Sequence, residues 1–205
     1  MNAGSSSTPL VHESGEDPIK PLSGSCFCKA LQYDLHPINR SDLTLSAYCH
    51  CSKCQILNGA PYVWTTHWTD RSVSWREGHE LTASAAAAQH QEQGDDLLPN
   101  RPASDLPRSM QTFCTIPNRK YKIRCRECGT PMGSWNEAKR EWTLWPTSLD
   151  RPTAENSTDV GSVLQVATWF APDHHQFWGP WRAVELKGDG LPRYAGYAAN
   201  SERID

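Results

Sequence analysis

Gly24-Ser25-Cys26-Phe27-Cys28 and, beyond most of the β-rich sequence, Cys125-Arg126-Glu127-Cys128-Gly129-Thr130 decide how this chain folds. Each is a short turn carrying two thiols one or two residues apart. Such neighbours pair poorly with each other but converge readily on one ion, because bonds of ~2.3 Å gather sulfurs from a tight turn onto zinc. A closed structural site takes four ligands, usually two pairs from two turns. Joining Cys26 and Cys28 to Cys125 and Cys128 would tie the first strand to the second half of the domain. The alternative is four reduced cysteines that merely pack.

Between these turns lies Cys49-His50-Cys51-Ser52-Lys53-Cys54. Three thiols fill three corners of a tetrahedron and leave the fourth open, which is how catalytic zinc is commonly held. Water, His50, Cys114 or an incoming thiol are the candidates for that corner. Closure by Cys114 would make the site structural. Across all eight cysteines, disulfides, a redox couple or another metal are the competing readings. The N-terminal MNAGSSSTPLVHESGED has neither a basic start nor an apolar core. A secretory signal is therefore not expected, and a reducing compartment favours metal over disulfide. The expected location is intracellular and cytoplasmic, with the nucleus as the alternative.

The chain has 205 residues, enough for one domain with a real core. No apolar run approaches the ~18 residues of a membrane helix. Lys plus Arg number 20 against 23 Asp plus Glu, a net charge of −3, whereas a wholesale nucleic-acid binder leans basic. Residues 1–21 are polar and aperiodic and read as a disordered leader. Short alternating or β-rich runs follow at 31–35, 43–47, 62–66 and 72–75, then at 110–114, 120–124, 142–145 and 163–169. The stretch 83–109 differs. ASAAAAQHQEQ favours helix without an apolar stripe, and Pro99, Pro102 and Pro107 follow, so it reads as an inserted surface excursion. The fold class is mostly β in one domain, 22–197, with 198–205 as a tail.

These motifs resemble the glutathione-dependent formaldehyde-activating (GFA) family, which includes the centromere protein V domain. The resemblance rests on Gly24–Cys28 followed by Leu31-Gln32-Tyr33, on Cys49–Cys54 with Gly59-Ala60, on Cys125–Thr130, and on Pro180-Trp181 with Gly190–Tyr194. It runs over about residues 22–197, interrupted by 83–113. It implies a β-tent fold with a structural zinc on Cys26, Cys28, Cys125 and Cys128. It also implies a labile second zinc on Cys49, Cys51 and Cys54 as the catalytic site, and carbon–sulfur lyase chemistry on S-hydroxymethylglutathione. Lys29, Gln55 and Arg124 depart from residues common in the family, and none is a ligand.

A zinc-held thiol is deprotonated and can add to an aldehyde carbon. A proton donor is also needed, and His50 and His67 are the candidates by titration range, although each reads as an ordinary surface histidine. His174 and His175 read as solvated. Arg119–Arg126 holds five basic residues in eight. It would either meet the carboxylates of a glutathione-like ligand or a phosphate backbone, or form a strand with Lys120, Lys122 and Arg124 on a wet face. Trp178 and Trp181 could wall a substrate cleft, the other tryptophans being core and rim. The expected function is a zinc-dependent carbon–sulfur lyase acting on glutathione or a related small thiol. The alternative is a zinc-stabilised binding module for protein or nucleic acid.

Overall fold

The computed structural model of the protein describes residues 20–78, 98, 100–101, 105–150, 169–179, 183 and 189–204. The helix expected over 83–93, the strand residues 163–168, the first 19 residues and Trp181 lie outside them. The described chain is mostly β, as expected. It runs through β1 (Leu22–Ser25), β2 (Leu31–Leu35), β3 (Leu43–Cys49), α1 (Ser52–Asn58), β4 (Val63–Thr69) and β5 (Val73–Glu77). It continues through β6 (Met110–Ile116), β7 (Lys120–Cys125), β8 (Pro131–Asn136), β9 (Glu141–Leu144) and the two-residue β10 (His175–Gln176).

Two sheets result. The smaller is antiparallel in the order β1-β2-β5, and the larger has the order β10-β3-β4-β9-β8-β7-β6, with β10 parallel to β3. Period-2 patterning builds the smaller sheet. Leu31, Tyr33 and Leu35 are buried while Gln32 and Asp34 between them are half-buried, so one face meets the core. Gly24 is required on β1, because a Cβ there would lie 2.3 Å from the Tyr33 ring opposite.

In the larger sheet, four strands hold their residues directly opposite one another. Tyr121, Trp135, Trp142 and Trp68 form one transverse row across β7, β8, β9 and β4. All four are buried. Trp135 and Trp142 sit 4.6 Å apart, and Trp142 meets Trp75 of the smaller sheet at 5.6 Å, edge to face. This aromatic row is the floor of the interior between the sheets, where Leu31, Tyr33, Leu35, Ile123 and Met132 also gather. The residues beside the row, Lys122, Ser134, Thr143 and His67, must face the other way.

Three strands, β1, β8 and the two-residue β10, fall outside the runs read as strands in the sequence. Pro131-Met132-Gly133-Ser134 reads as turn text, yet Gly133 is what lets β8 lie against β9. A Cβ there would stand 2.2 Å from the Thr143 carbonyl oxygen.

The described part of 83–109 corrects the expectation of a surface excursion. Leu98 is only 2% exposed and belongs to the main core. The Arg101 guanidinium lies over Trp135 and Trp142, at 4.5 and 4.8 Å from their ring centres, and pairs with Asp70. Ser109 donates to the Ala30 carbonyl at 2.9 Å. Composition hid this anchoring, because a single leucine and a stacked arginine leave no periodic stripe. Leu98→Ala should therefore cost about 2–5 kcal/mol, read as a lowered urea midpoint; an unchanged midpoint would show that the side chain is dispensable to the core.

Candidate metal centres

The turns quoted at the outset come together. The sulfurs of Cys26, Cys28, Cys125 and Cys128 all lie within 4.8 Å of one another. Cys26 and Cys28 are 3.5 Å apart, and Cys28 is 3.7 Å from Cys125. A tetrahedron with arms of ~2.3 Å has edges of ~3.8 Å, so the set suits an ion of zinc's size. The first pair sits on the β1–β2 turn and the second on the β7–β8 turn, so the cluster joins the two sheets. Backbone and hydroxyl groups prepare it for negative sulfur. The Leu31 amide donates to Cys26 Sγ at 3.3 Å, and Thr130 Oγ1 lies 3.0 Å from Cys128 Sγ. Burial raises the Cys128 thiol, but hydrogen bonds from the Thr130 side chain and backbone outweigh it and bring the pKa to about 6. Lys29 closes the first turn with φ of 61°, a left-handed conformation that usually falls to glycine and costs about 1 kcal/mol for lysine.

Cys49, Cys51 and Cys54 form a second group, their sulfurs also within 4.8 Å of one another. Cys49 ends β3, Cys51 precedes α1 and Cys54 lies in its first turn. Gly59 ends the helix in the left-handed region, φ 59°. Hydrogen bonds from Cys49, then from Cys54, hold the Cys51 thiol down as a thiolate. Cys114 joins neither group among the described residues; it packs against the main core. The closing ligand weighed for the three-cysteine set is therefore not Cys114 in this geometry.

The three sulfurs open onto a cavity of about 380 Å³. Its wall includes His67, Lys120, Lys122, Ser134, Thr143 and Trp145, with Phe177 and Tyr197 from the C-terminal segment. A second, shallower groove of about 430 Å³ passes Cys26 and Asp150. That groove meets only one cysteine and no lysine, so the cavity at Cys49–Cys54 is the candidate functional site.

Residues 21–97 match the family described as glutathione-dependent formaldehyde-activating enzyme. Over this stretch the chain is similar to that family. The stretch contains Cys26, Cys28, Cys49, Cys51 and Cys54 and ends before Cys125 and Cys128, whose place beside the first pair rests on the geometry above. The two-sheet, mostly β architecture agrees with the β-tent expected of the GFA family. No curated protein matches the chain. A crystal structure of a Rhodobacter sphaeroides protein is similar at 13% identity and a TM-score of 0.40, covering 68% of this chain and 97% of that one.

The structure corrects several readings around this cavity. Lys122 is not on a wet face; it is 4% exposed, with its ammonium 5.3 Å from the Trp145 ring centre. Lys120 is half-buried on the same cavity wall, and Arg124 alone of the three is exposed. His50 and His67 are buried rather than on the surface. Burial first, then the Lys120, Lys139 and Lys122 charges, push His67 well below the usual imidazole range, so it is neutral near pH 7. The cavity's cations are Lys53, Arg119, Lys120 and Lys122, and the last three lie in the stretch read as meeting carboxylates or phosphate or as facing solvent.

His175 is not solvated either. It is fully buried, and the His50 ring meets it at 2.9 Å between Nε2 and Nδ1. His175 Nε2 in turn reaches Asp189 Oδ2 at 2.6 Å. A carboxylate only accepts, so His175 Nε2–H donates to it, and with that ring neutral its Nδ1 accepts from His50 Nε2–H. Burial, followed by His175, brings the His50 pKa down to about 4. Trp178 closes edge to face on His50 at 4.9 Å, and the His50 amide donates to the Gln176 carbonyl at 3.0 Å. The C-terminal segment thus clamps the cysteine loop from behind. Asp189→Ala would leave a buried N–H on His175 without its acceptor and should cost about 1–3 kcal/mol in a urea titration. Asp189→Asn keeps an acceptor and should recover most of that loss; equal damage from both would show that the acceptor is not what matters.

Proposed function

We propose that this protein is a zinc-dependent enzyme of carbon–sulfur lyase type, acting on glutathione or a related small thiol and its aldehyde adduct. One observation carries the reading. Of two cysteine clusters fit for a metal, one is a closed set of four joining the sheets. The other has three sulfurs and faces a cavity lined with lysines. Three ligands at a cavity wall leave a place for a fourth that comes and goes.

Zinc held by Cys49, Cys51 and Cys54 would supply stabilisation of a bound thiolate, and zinc on Cys26, Cys28, Cys125 and Cys128 would hold the fold. The protein's own groups would do the rest. Lys120 and Lys122 would draw an anionic thiol into the cavity and offer N–H donors to an oxygen of the adduct. Phe177, Trp145 and Tyr197 would exclude bulk water from the same space. The domain would run over 22–197, and the thiol-based sites suit a reducing intracellular compartment.

The test is calorimetry with glutathione and with its S-methyl derivative, on wild type and on Cys51→Ser. Glutathione should bind and its S-methyl form should bind at least about tenfold more weakly, since only a free thiol becomes a ligand. Affinity should rise with pH toward the thiol's own pKa, because deprotonation precedes ligation. Cys51→Ser should abolish thiol binding and formaldehyde-adduct turnover while the protein stays folded and keeps one tightly held zinc by elemental analysis. Equal binding of both compounds to both proteins would overturn the assignment of the site.

A further inference from the structure

The wall of this cavity contains an arrangement that metal binding does not use. Lys122, Ser134, Thr143 and His67 stand directly opposite one another on β7, β8, β9 and β4. Neighbouring strands lie ~4.8 Å apart, so the four side chains form a straight transverse row on one face. All four line the cavity, and none is more than 5% exposed.

Two members of the row lack partners. The hydroxyls of Ser134 and Thr143 are buried and make no hydrogen bond. Buried hydroxyls elsewhere in the fold do find carbonyls: Thr65 bonds Ala47, Thr66 bonds Leu144, Ser46 bonds Phe170 and Ser109 bonds Ala30. Among the described residues, the buried hydroxyls without a partner are these two, and both face the cavity. Leaving a buried hydroxyl unpaired is costly, so two side by side point to a ligand that satisfies them.

The charge of the wall says what kind. It presents Lys53, Arg119, Lys120 and Lys122 and no aspartate or glutamate. His67 is neutral and sits at the far end of the row from Lys122. We propose that this row is a carboxylate subsite. One carboxylate oxygen would accept from Ser134 Oγ–H, the other from Thr143 Oγ1–H, and the Lys122 ammonium would neutralise the charge. Hydroxyls one strand spacing apart suit the two oxygens of a single planar group. The inference rests on the thiol reading above and narrows its substrate class to thiols that carry a carboxylate a few bonds from the sulfur.

The test uses the holoprotein with three probes: 3-mercaptopropionate, its methyl ester and propionate. Calorimetry should show the acid binding at least about tenfold more tightly than the ester, as befits hydrogen bonds to a charged group. Ser134→Ala and Thr143→Val should each remove most of that preference and leave ester binding unchanged, while Lys122→Met should remove the preference and weaken binding of both compounds. Without ligand, Ser134→Ala and Thr143→Val should melt at or above the wild-type temperature, since each deletes an unpaired buried hydroxyl. A merely structural hydroxyl would lower it. Equal binding of acid and ester, or no binding of the acid at millimolar concentration, overturns the subsite; in the first case the thiol reading survives. Propionate binding as tightly as the mercapto acid, with the same loss in the variants, would support the subsite and overturn the thiol reading instead. Lower melting temperatures with the acid preference intact would assign the hydroxyls to the fold and overturn the proposal.

Discussion

The transverse pairing of β4, β9, β8 and β7 is the constraint on which both the core and the site depend. Successive residues on a strand point to opposite faces, so one register fixes two rows at once. Tyr121, Trp135, Trp142 and Trp68 fill the space between the sheets, and Lys122, Ser134, Thr143 and His67 line the cavity. A slip of one residue in β8 would put Ser134 among the tryptophans and Trp135 into the cavity. Core packing therefore holds the site's geometry, because the large rings tolerate only the observed register.

The cysteine loop is held differently. It leaves the sheet at Cys49, makes less than two turns of helix and has little core of its own. Its smaller apolar cluster is Cys49, Cys54, Val63 and Trp145, with partly buried Leu57, Ala60 and Phe177 beside it. What fixes the loop is the C-terminal segment. β10 pairs with the end of β3, and the Asp189–His175–His50 chain of hydrogen bonds runs behind the sulfurs. A metal-binding loop on a mobile support would present its sulfurs poorly. Here the support is a buried polar chain whose donor directions are set by a single carboxylate. Arg193, stacked over Trp178 at 4.6 Å from its ring centre, also reaches Asp189 and steadies that carboxylate from the solvent side.

Much of this was legible in the sequence. Thiols one or two residues apart announced two cysteine clusters that could hold a metal, and alternation in Leu31–Leu35 or the β-rich text of Lys120–Arg124 announced strands. Alternation shows which residues share a face but not whether that face is wet. Lys120, Lys122 and Arg124 do lie on one face, yet Lys120 and Lys122 are covered by segments far along the chain, and only Arg124 reaches solvent. The same long-range covering hid His175, since His174-His175 in a loop beside Asp173 looks solvated until Pro192 and Tyr194 pair with it. β8 was hidden for a local reason. Its proline and glycine usually mark turns, but here the proline starts the strand and the glycine permits close backbone approach.

The burial of Lys122 connects the three-cysteine cluster to the fold. A buried ammonium is costly unless an opposite charge lies close. Among the described residues no carboxylate pairs with it, and the nearest negative candidates are the cysteine sulfurs, whose ionisation Lys122 favours. A divalent ion on three thiolates carries a net charge of −1, which would balance one buried lysine. Lys120, whose pKa is lowered by burial and then by Lys122, would remain with Lys53 and Arg119 as surplus cations facing the cavity. Such a cavity, nearly neutral at its sulfur end and positive at its lysine end, favours a ligand with a thiol at one side and an anionic group at the other. The two unpaired hydroxyls stand between those ends, in register with Lys122, where the anionic group of such a ligand would come to rest.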